Sequence, residues 1–423
     1  MTVLTEHPAP GGAPAGGPGR PAEPPEPVGR PELLVDPALH ATGDPHGIWR
    51  WMREHAPVHR HEEGDLPAFW SLTRYEDIRA VYRDPATFSS AHGVLLRPLA
   101  LGEDPGAGQT LALTDPPRHK QLRGLMADWF STRAVRGLED FVRDAVRDAL
   151  ARAVERGTCD AVHDVAARIS LYTIARIIGV PREDQEALFR WTDEAFLAHR
   201  SLAAHHGFMG YFIDLMDRRA AEPADDLLSS LVHGTVDGEP LTEEEILLNC
   251  ENLVGATENG RLALAAGLLA LLEHPAELAR LRADRALLPA AGEEILRWTS
   301  SATHSMRTAT RPVEIRGRRI EAGDRVVVWV PSGNRDEDVF PDPYRFDVGR
   351  TPNRHLALAA GEHFCIGSTL ARAQLRLLLT EVLDTGIGLE PSGPAVRLRS
   401  IHVAGPESIP LRVTPPRRPR PAA

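Results

Sequence analysis

From Thr242-Glu243-Glu244-Glu245 the chain runs to Pro275 without meeting a proline. A hydroxyl with a carboxylate three residues on is a capping box, in which each side chain satisfies a free N–H of the other residue. The spacing predicts one helix over Leu241 to Glu273, and roughly thirty residues span about 45 Å, enough to cross the molecule. Its centre, Val254-Gly255-Ala256-Thr257-Glu258-Asn259-Gly260, is weak. Each glycine costs about 1 kcal/mol relative to alanine, and a buried helix normally avoids a carboxylate and an amide. Small residues beside Glu258 and Asn259 describe a groove against which a ligand can lie; they also fit plain helix packing, with Glu258 reaching solvent.

Helical periodicity recurs over Arg118 to Trp129, Leu138 to Glu155, Ala166 to Ile178, Arg182 to Phe196, Leu287 to Thr299 and Thr369 to Leu383, so the fold is mainly α. Short β-like runs at Val313 to Ile315, Arg319-Ile320 and Arg325 to Val330, joined by turn residues, predict a small sheet inserted late in the chain. The stretch from Pro331 to His355 lacks periodicity and is longer than a compact domain tolerates without a functional reason. Pro- and Gly-rich ends read as a leader over 1–30 and a loose tail over 415–423, leaving a single domain over 31–414.

The formal charge of −11 excludes nucleic acid as the main partner, because phosphate binding needs concentrated cationic surface. Cys159, Cys250 and Cys365 are odd in number and far apart. They exclude a disulfide framework, a zinc site and a covalent cofactor tether, and they fit a reducing cytoplasm. An unbroken apolar run of about eighteen residues is missing, as is a basic-then-apolar start, so no membrane is expected.

Glu294 and Arg297 stand one helical turn apart. Such a pair is usually a solvated bridge worth a few tenths of a kcal/mol. If Arg345 from the irregular stretch joined them, the planar guanidinium fork would pin that stretch. The segment Gly361-Glu362-His363-Phe364-Cys365-Ile366-Gly367 precedes the helical run that opens at Thr369. N–H groups at a helix N-terminus favour an anionic sulfur and lower its pKa, and flanking glycines admit backbone close to it. Three roles stay open for Cys365: an inert buried cysteine, a nucleophile that has His363 nearby but no third member, and a single thiolate on iron.

In this order, these segments resemble the cytochrome P450s, specifically the soluble bacterial type. The family's Phe-x-x-Gly-x-x-x-Cys-x-Gly signature, with a basic residue two before the cysteine, is matched by Gly361, His363, Cys365 and Gly367. Its Glu-x-x-Arg pair is matched by Glu294 and Arg297, and Phe340 to Phe346 resembles its arginine segment, making Arg345 the third member. Thr114 to Arg123 resembles its propionate-binding helix, with His119 and Arg123 at the cationic positions; Arg307 matches another. The resemblance runs from about Pro37 to Pro410. It implies a triangular helical prism with haem b buried between the long distal helix and the proximal cysteine-loop helix. Cys365 would be the iron ligand, with Gly367 in the same cofactor-binding loop. His119, Arg123, Arg307 and His363 would lie near the propionates. Glu258 and Asn259 would occupy the oxygen-side catalytic positions. Ser89 to Gln109 would form the access lid, and Ala256 and Thr303 pocket walls.

Since the chain shows no flavin or iron–sulfur motif, the resemblance implies electrons from a ferredoxin and its NAD(P)H-dependent ferredoxin reductase. The expected protein is a monomeric, cytoplasmic monooxygenase. It uses O2 to hydroxylate or epoxidise a small-to-medium organic molecule, a secondary-metabolite intermediate. Oxidative coupling or ring formation without oxygen insertion competes with this reading, as does a non-catalytic haem binder or sensor. Two positions depart from the family. Asn259 replaces the usual threonine, and an amide donates a hydrogen bond but relays a proton less readily than a hydroxyl. Leu358 replaces the phenylalanine of the cysteine signature.

Overall fold

A computed structural model describes residues 29–192, 194 and 202–415. The expected leader, apart from Gly29 and Arg30, and the tail beyond Pro415 lie outside the described residues.

The long helix forms over Glu243–Glu273. Glu245 N donates to Thr242 Oγ1 at 3.2 Å, and Thr242 N donates to the Glu245 carboxylate at 2.8 Å, closing the capping box. The two halves of the helix belong to different apolar cores. Ile246, Cys250, Leu253 and Val254 pack with Ile174, Phe208 and Phe212; Leu264, Leu268 and Leu271 pack with Ile295, Leu375 and Leu378. Gly255 to Gly260 lies between the two cores and is partly or fully open. The polar notch therefore costs no core burial. Further along, a Cβ on Gly267 would come within 2.6 Å of Ile295 Cγ2, so glycine lets the Leu288–Thr299 helix pack closely.

Helices at Arg118–Ala127, Glu139–Arg156, Ala167–Ile178, Leu288–Thr299 and Ser368–Thr385 fall where the periodicity placed them. The helix expected from Arg182 is a 3-10 turn, Arg182–Asp184, followed by a helix over Gln185–Thr192; most of the remaining stretch to Phe196 lies outside the described residues. Helices at Pro45–His55, Tyr75–Arg83 and Leu202–Ala221 complete the framework around the site.

The single late sheet is a correction. Arg325–Trp329 pairs parallel with Phe69–Leu72 and antiparallel with His304–Ala309, in a five-stranded sheet completed by Val58–His61 and Phe88–Ser89. Val313–Ile315 and Arg318–Ile320 form a separate hairpin. Val326, Val327, Val328 and Trp329 are all fully buried, so this strand is apolar on both faces and needs neighbours from elsewhere in the chain.

Glu294 and Arg297 are fully buried and joined by two parallel bonds of 2.8 Å. Arg297 also donates to the carbonyls of Asn334 at 2.9 Å and Pro343 at 2.8 Å, and Glu294 accepts from Asp347 N at 2.9 Å. The irregular stretch is thus held by this pair. Arg345 is the wrong third member: its side chain is exposed, and only its carbonyl faces Arg297, at 3.3 Å. The guanidinium that reaches Glu294 is that of Arg350, with Nε at 3.2 Å from Oε2, and Arg350 also caps the carbonyls of Pro341 and Arg345. Among the described residues no single helix is long and apolar enough to cross a membrane.

Candidate functional site

Two cavities meet at the open middle of the long helix. The inner one, of about 300 Å³, lies between Ala256, Asn259 and Gly260 on one side and Leu358, Cys365 and Gly367 on the other. The outer chamber, of about 650 Å³, shares Ala256, Thr257, Asn259 and Ala302 with it and extends past Glu251 to Arg97, Asp104 and His402.

Cys365 is carried in a loop whose backbone is tied down on both sides. Its N–H donates to Leu358 O at 3.0 Å, and its carbonyl accepts from Ser368 N at 3.2 Å. Gly361 adopts φ +73°, and a Cβ there would collide with the Tyr82 carbonyl, so only glycine lets the loop cross the Tyr75–Arg83 helix. Burial pushes the Cys365 thiol up, against the Gly367 N–H and the charges of Arg123 and Arg372. This direction runs against the lowering expected from the helix terminus, and the helix itself begins only at Ser368.

Two histidines and two arginines gather beside this loop. His119 is fully buried, its ring 4.2 Å from that of His363, and neither of its ring nitrogens has a hydrogen-bond partner. His363 Nε2 lies 3.2 Å from Ser90 Oγ. Arg123 donates to Phe364 O at 2.8 Å. Arg307, buried in the central sheet, donates to Met306 O at 2.7 Å and lies 5.6 Å from the centre of the Tyr82 ring. Burial, then the charges of Arg307, His119 and Arg123, push His363 down to about 3. Burial likewise lowers His119, Arg123 and Arg307. The nearby acids are engaged elsewhere, Asp115 with Ser89 and Ser90 N and Glu362 with Lys120. The cluster is short of negative charge.

On the opposite wall, Asn259 lines both cavities, and its Oδ1 is buried without a partner. Its carbonyl accepts from Ser301 Oγ at 3.1 Å. Glu258 lines only the outer chamber and pairs with Arg261 at 2.6 Å. Ser170 was not visible to sequence reasoning. It is buried, lines the inner cavity, and its hydroxyl has no hydrogen-bond partner. A Cβ on Gly260 would lie 3.3 Å from Ser170 Oγ and 3.9 Å from Gln374 Oε1. Three distant segments thus bring a hydroxyl and an amide to the bare face beside Asn259, and only a serine amid apolar Ile169 and Leu171 marks this in the sequence.

Ala256 lines both cavities as expected of a pocket wall. Thr303 lines neither; it is fully buried, its N–H bonded to His402 O and its carbonyl to Val330 N, while Ala302 and Ser305 face the inner cavity. The segment expected to form a lid supplies Leu95, Arg97, Asp104 and Gly106 to the outer chamber.

The family model for Cytochrome P450 matches residues 197–385. Cytochrome P450 NovI of Streptomyces niveus is 35% identical over 90% of this chain and 96% of its own. A steroid C26-monooxygenase of Mycolicibacterium smegmatis is 34% identical over 91% of this chain and 97% of its own. Among solved structures, P450 OxyD, involved in the biosynthesis of vancomycin-type antibiotics, superposes with a TM-score of 0.84 at 33% identity, covering 90% of this chain and 99% of that one.

Proposed function

The chain belongs to the cytochrome P450 family and is one of its oxidoreductases, and from this we propose a monooxygenase that inserts one atom of O2 into an organic substrate held in the outer chamber. One observation carries the reading: Cys365 and Asn259 line the same cavity, beside two arginines and two histidines. This donor set fits haem b. A thiol faces the cavity, and unpartnered His119 nitrogens with two desolvated guanidinium groups suit two propionates in a low-dielectric interior. Cys365 would bind the iron, and His119, Arg123, Arg307 and His363 would hold the propionates.

Bound haem supplies the iron centre at which O2 is activated, and thiolate ligation favours O–O cleavage. The Gly367 N–H and the charges of Arg123 and Arg372 stabilise a negative sulfur. Across the cavity, the Asn259 side chain accepts through Oδ1 and donates through Nδ2, so it orients a water without passing on a proton of its own. The Ser170 hydroxyl both accepts and donates, and it stands 3.3 Å from where a Cβ on Gly260 would be. We assign it the proton-passing role that Asn259 lacks. Glu258, paired with Arg261 on the outer side, is the carboxylate adjacent to Asn259 in sequence.

Electrons from a ferredoxin and its NAD(P)H-dependent reductase complete the scheme. The part of OxyD in antibiotic biosynthesis supports a secondary-metabolite intermediate as substrate. Turnover with these partners under isotopically labelled O2 tests the reading. Label in the product is the expected result; a coupled or cyclised product without label replaces it with oxidative coupling.

A further inference from the structure

Among the described residues, the charges on the walls of the outer chamber are paired at close range, except at Glu251. Arg97 pairs with Asp104 at 3.2 Å, and Glu258 with Arg261 at 2.6 Å. Glu251 lines the same chamber with its side chain 26% exposed. Among the described residues its one ionic contact is His205 Nδ1 at 3.9 Å, beyond hydrogen-bond length, and no side-chain hydrogen bond reaches its carboxylate. A half-buried carboxylate without a donor is costly unless something pairs with it. Burial holds its carboxyl above the usual range, and Asp104 adds repulsion. Thr110, 2% exposed, lines the same chamber, and its buried Oγ1 has no partner.

We propose that Glu251, with Thr110 beside the same chamber, receives a positively charged nitrogen of the substrate, which makes the substrate an organic cation such as an amine. The inference rests on the chamber being the substrate site argued above. A carboxylate attracts a cationic nitrogen by charge alone, with or without an N–H, whereas an anionic ligand is repelled and a neutral one leaves Glu251 unpaired. Glu251 and Asn259 are eight residues apart on one helix, a rise of roughly 12 Å. The substrate is therefore elongated, with its charge at one end and the oxidised carbon toward the other.

The test uses the full-length holoprotein and two probes, decyltrimethylammonium, whose nitrogen cannot ligate iron, and neutral 1-decanol, both titrated by calorimetry. In Glu251→Gln the dissociation constant of the ammonium probe is expected to rise about tenfold, with the alcohol changed less than about twofold. Glu251→Asp, which keeps the charge, is expected to retain the preference and serves as the folding control. Equal changes for both probes, or no change for either, overturn the proposal. Calorimetry reads the cation site directly, whereas the reduced carbon-monoxide spectrum reads the thiolate assignment, so the two ideas fail separately.

Discussion

Cys159 and Cys250 sit in the apolar cores, where burial pushes their thiols up to about 11 and about 12, whereas Cys365 lines the inner cavity. Cys365→Ala is expected to abolish both the thiolate-type reduced carbon-monoxide band and turnover, and Cys159→Ala and Cys250→Ala to leave the band in place. Persistence of the band without Cys365 refutes the ligand assignment. On the facing wall, Asn259→Thr is expected to tighten the coupling of electron use to product, because a hydroxyl then stands at the cavity beside Gly260. Ser170→Ala is expected to raise the share of electrons lost to peroxide severalfold without moving the ferric spectrum. If Ser170 merely packs, coupling is unchanged while stability falls. Leu358, whose carbonyl takes the Cys365 N–H, is expected on change to Phe to keep the thiolate spectrum and shift the reduction potential, read by redox titration.

The irregular stretch from Pro331 to His355 is tied to the Leu288–Thr299 helix through a carboxylate and a guanidinium that are each fully buried, and Arg53, Arg74 and Arg280 bond it from other elements. Removing one member of such a pair leaves an uncompensated charge, so Glu294→Gln is expected to cost about 3–5 kcal/mol in urea denaturation. Arg350→Ala removes a guanidinium that bonds Glu294 and three loop carbonyls and is expected to cost more than Arg345→Ala, which, as an exposed change, should stay within about 0.5 kcal/mol. The reverse order would restore Arg345 as the third member. Glu294 and Arg297 were legible because helical spacing fixes which residues share a face. Arg350 was not, because a loop has no period and its side-chain directions are set by which carbonyls turn inward. The same contrast explains the strands. Arg325–Trp329 was marked by its β-branched run, but its partner Phe69–Leu72 is four residues long and too short to show alternation. The long helix and the cysteine loop carry strong local chemistry, capping residues and glycines with no room for a Cβ, and both were read from the chain. Ser170, Gln374 and Glu251 meet their surroundings only through packing between distant helices, so nothing near them in sequence announced them.

Across the whole molecule, the outer chamber is closed by segments from both ends of the chain, and His304 is where they meet. Its Nδ1 donates to Ile401 O at 2.9 Å, and its Nε2 accepts from Leu96 N at 3.1 Å. That pattern requires the neutral ring, and burial, with His402 and His40 nearby, pushes His304 down to about 3. His61, buried against Phe69 and bonded to Ser71 Oγ, is also pushed down to about 3, by burial and then by His59. The unfolded chain takes up protons at both positions near 6.5, and the folded chain does not. The unfolded state therefore binds more protons throughout the interval from 6.5 to about 3, and stability falls as pH falls through it. Each ring contributes a slope of up to about 1.4 kcal/mol per pH unit. Above pH 6.5 both rings are neutral in either state and the slope from them disappears. A glutamine can donate and accept at the two ends of its amide, so His304→Gln keeps much of the bonding to Leu96 and Ile401 without a group that titrates there. Its urea midpoint is expected to fall less steeply than that of the unaltered protein on acidification from pH 6.5, and an identical slope would show that His304 is not held neutral in the folded molecule.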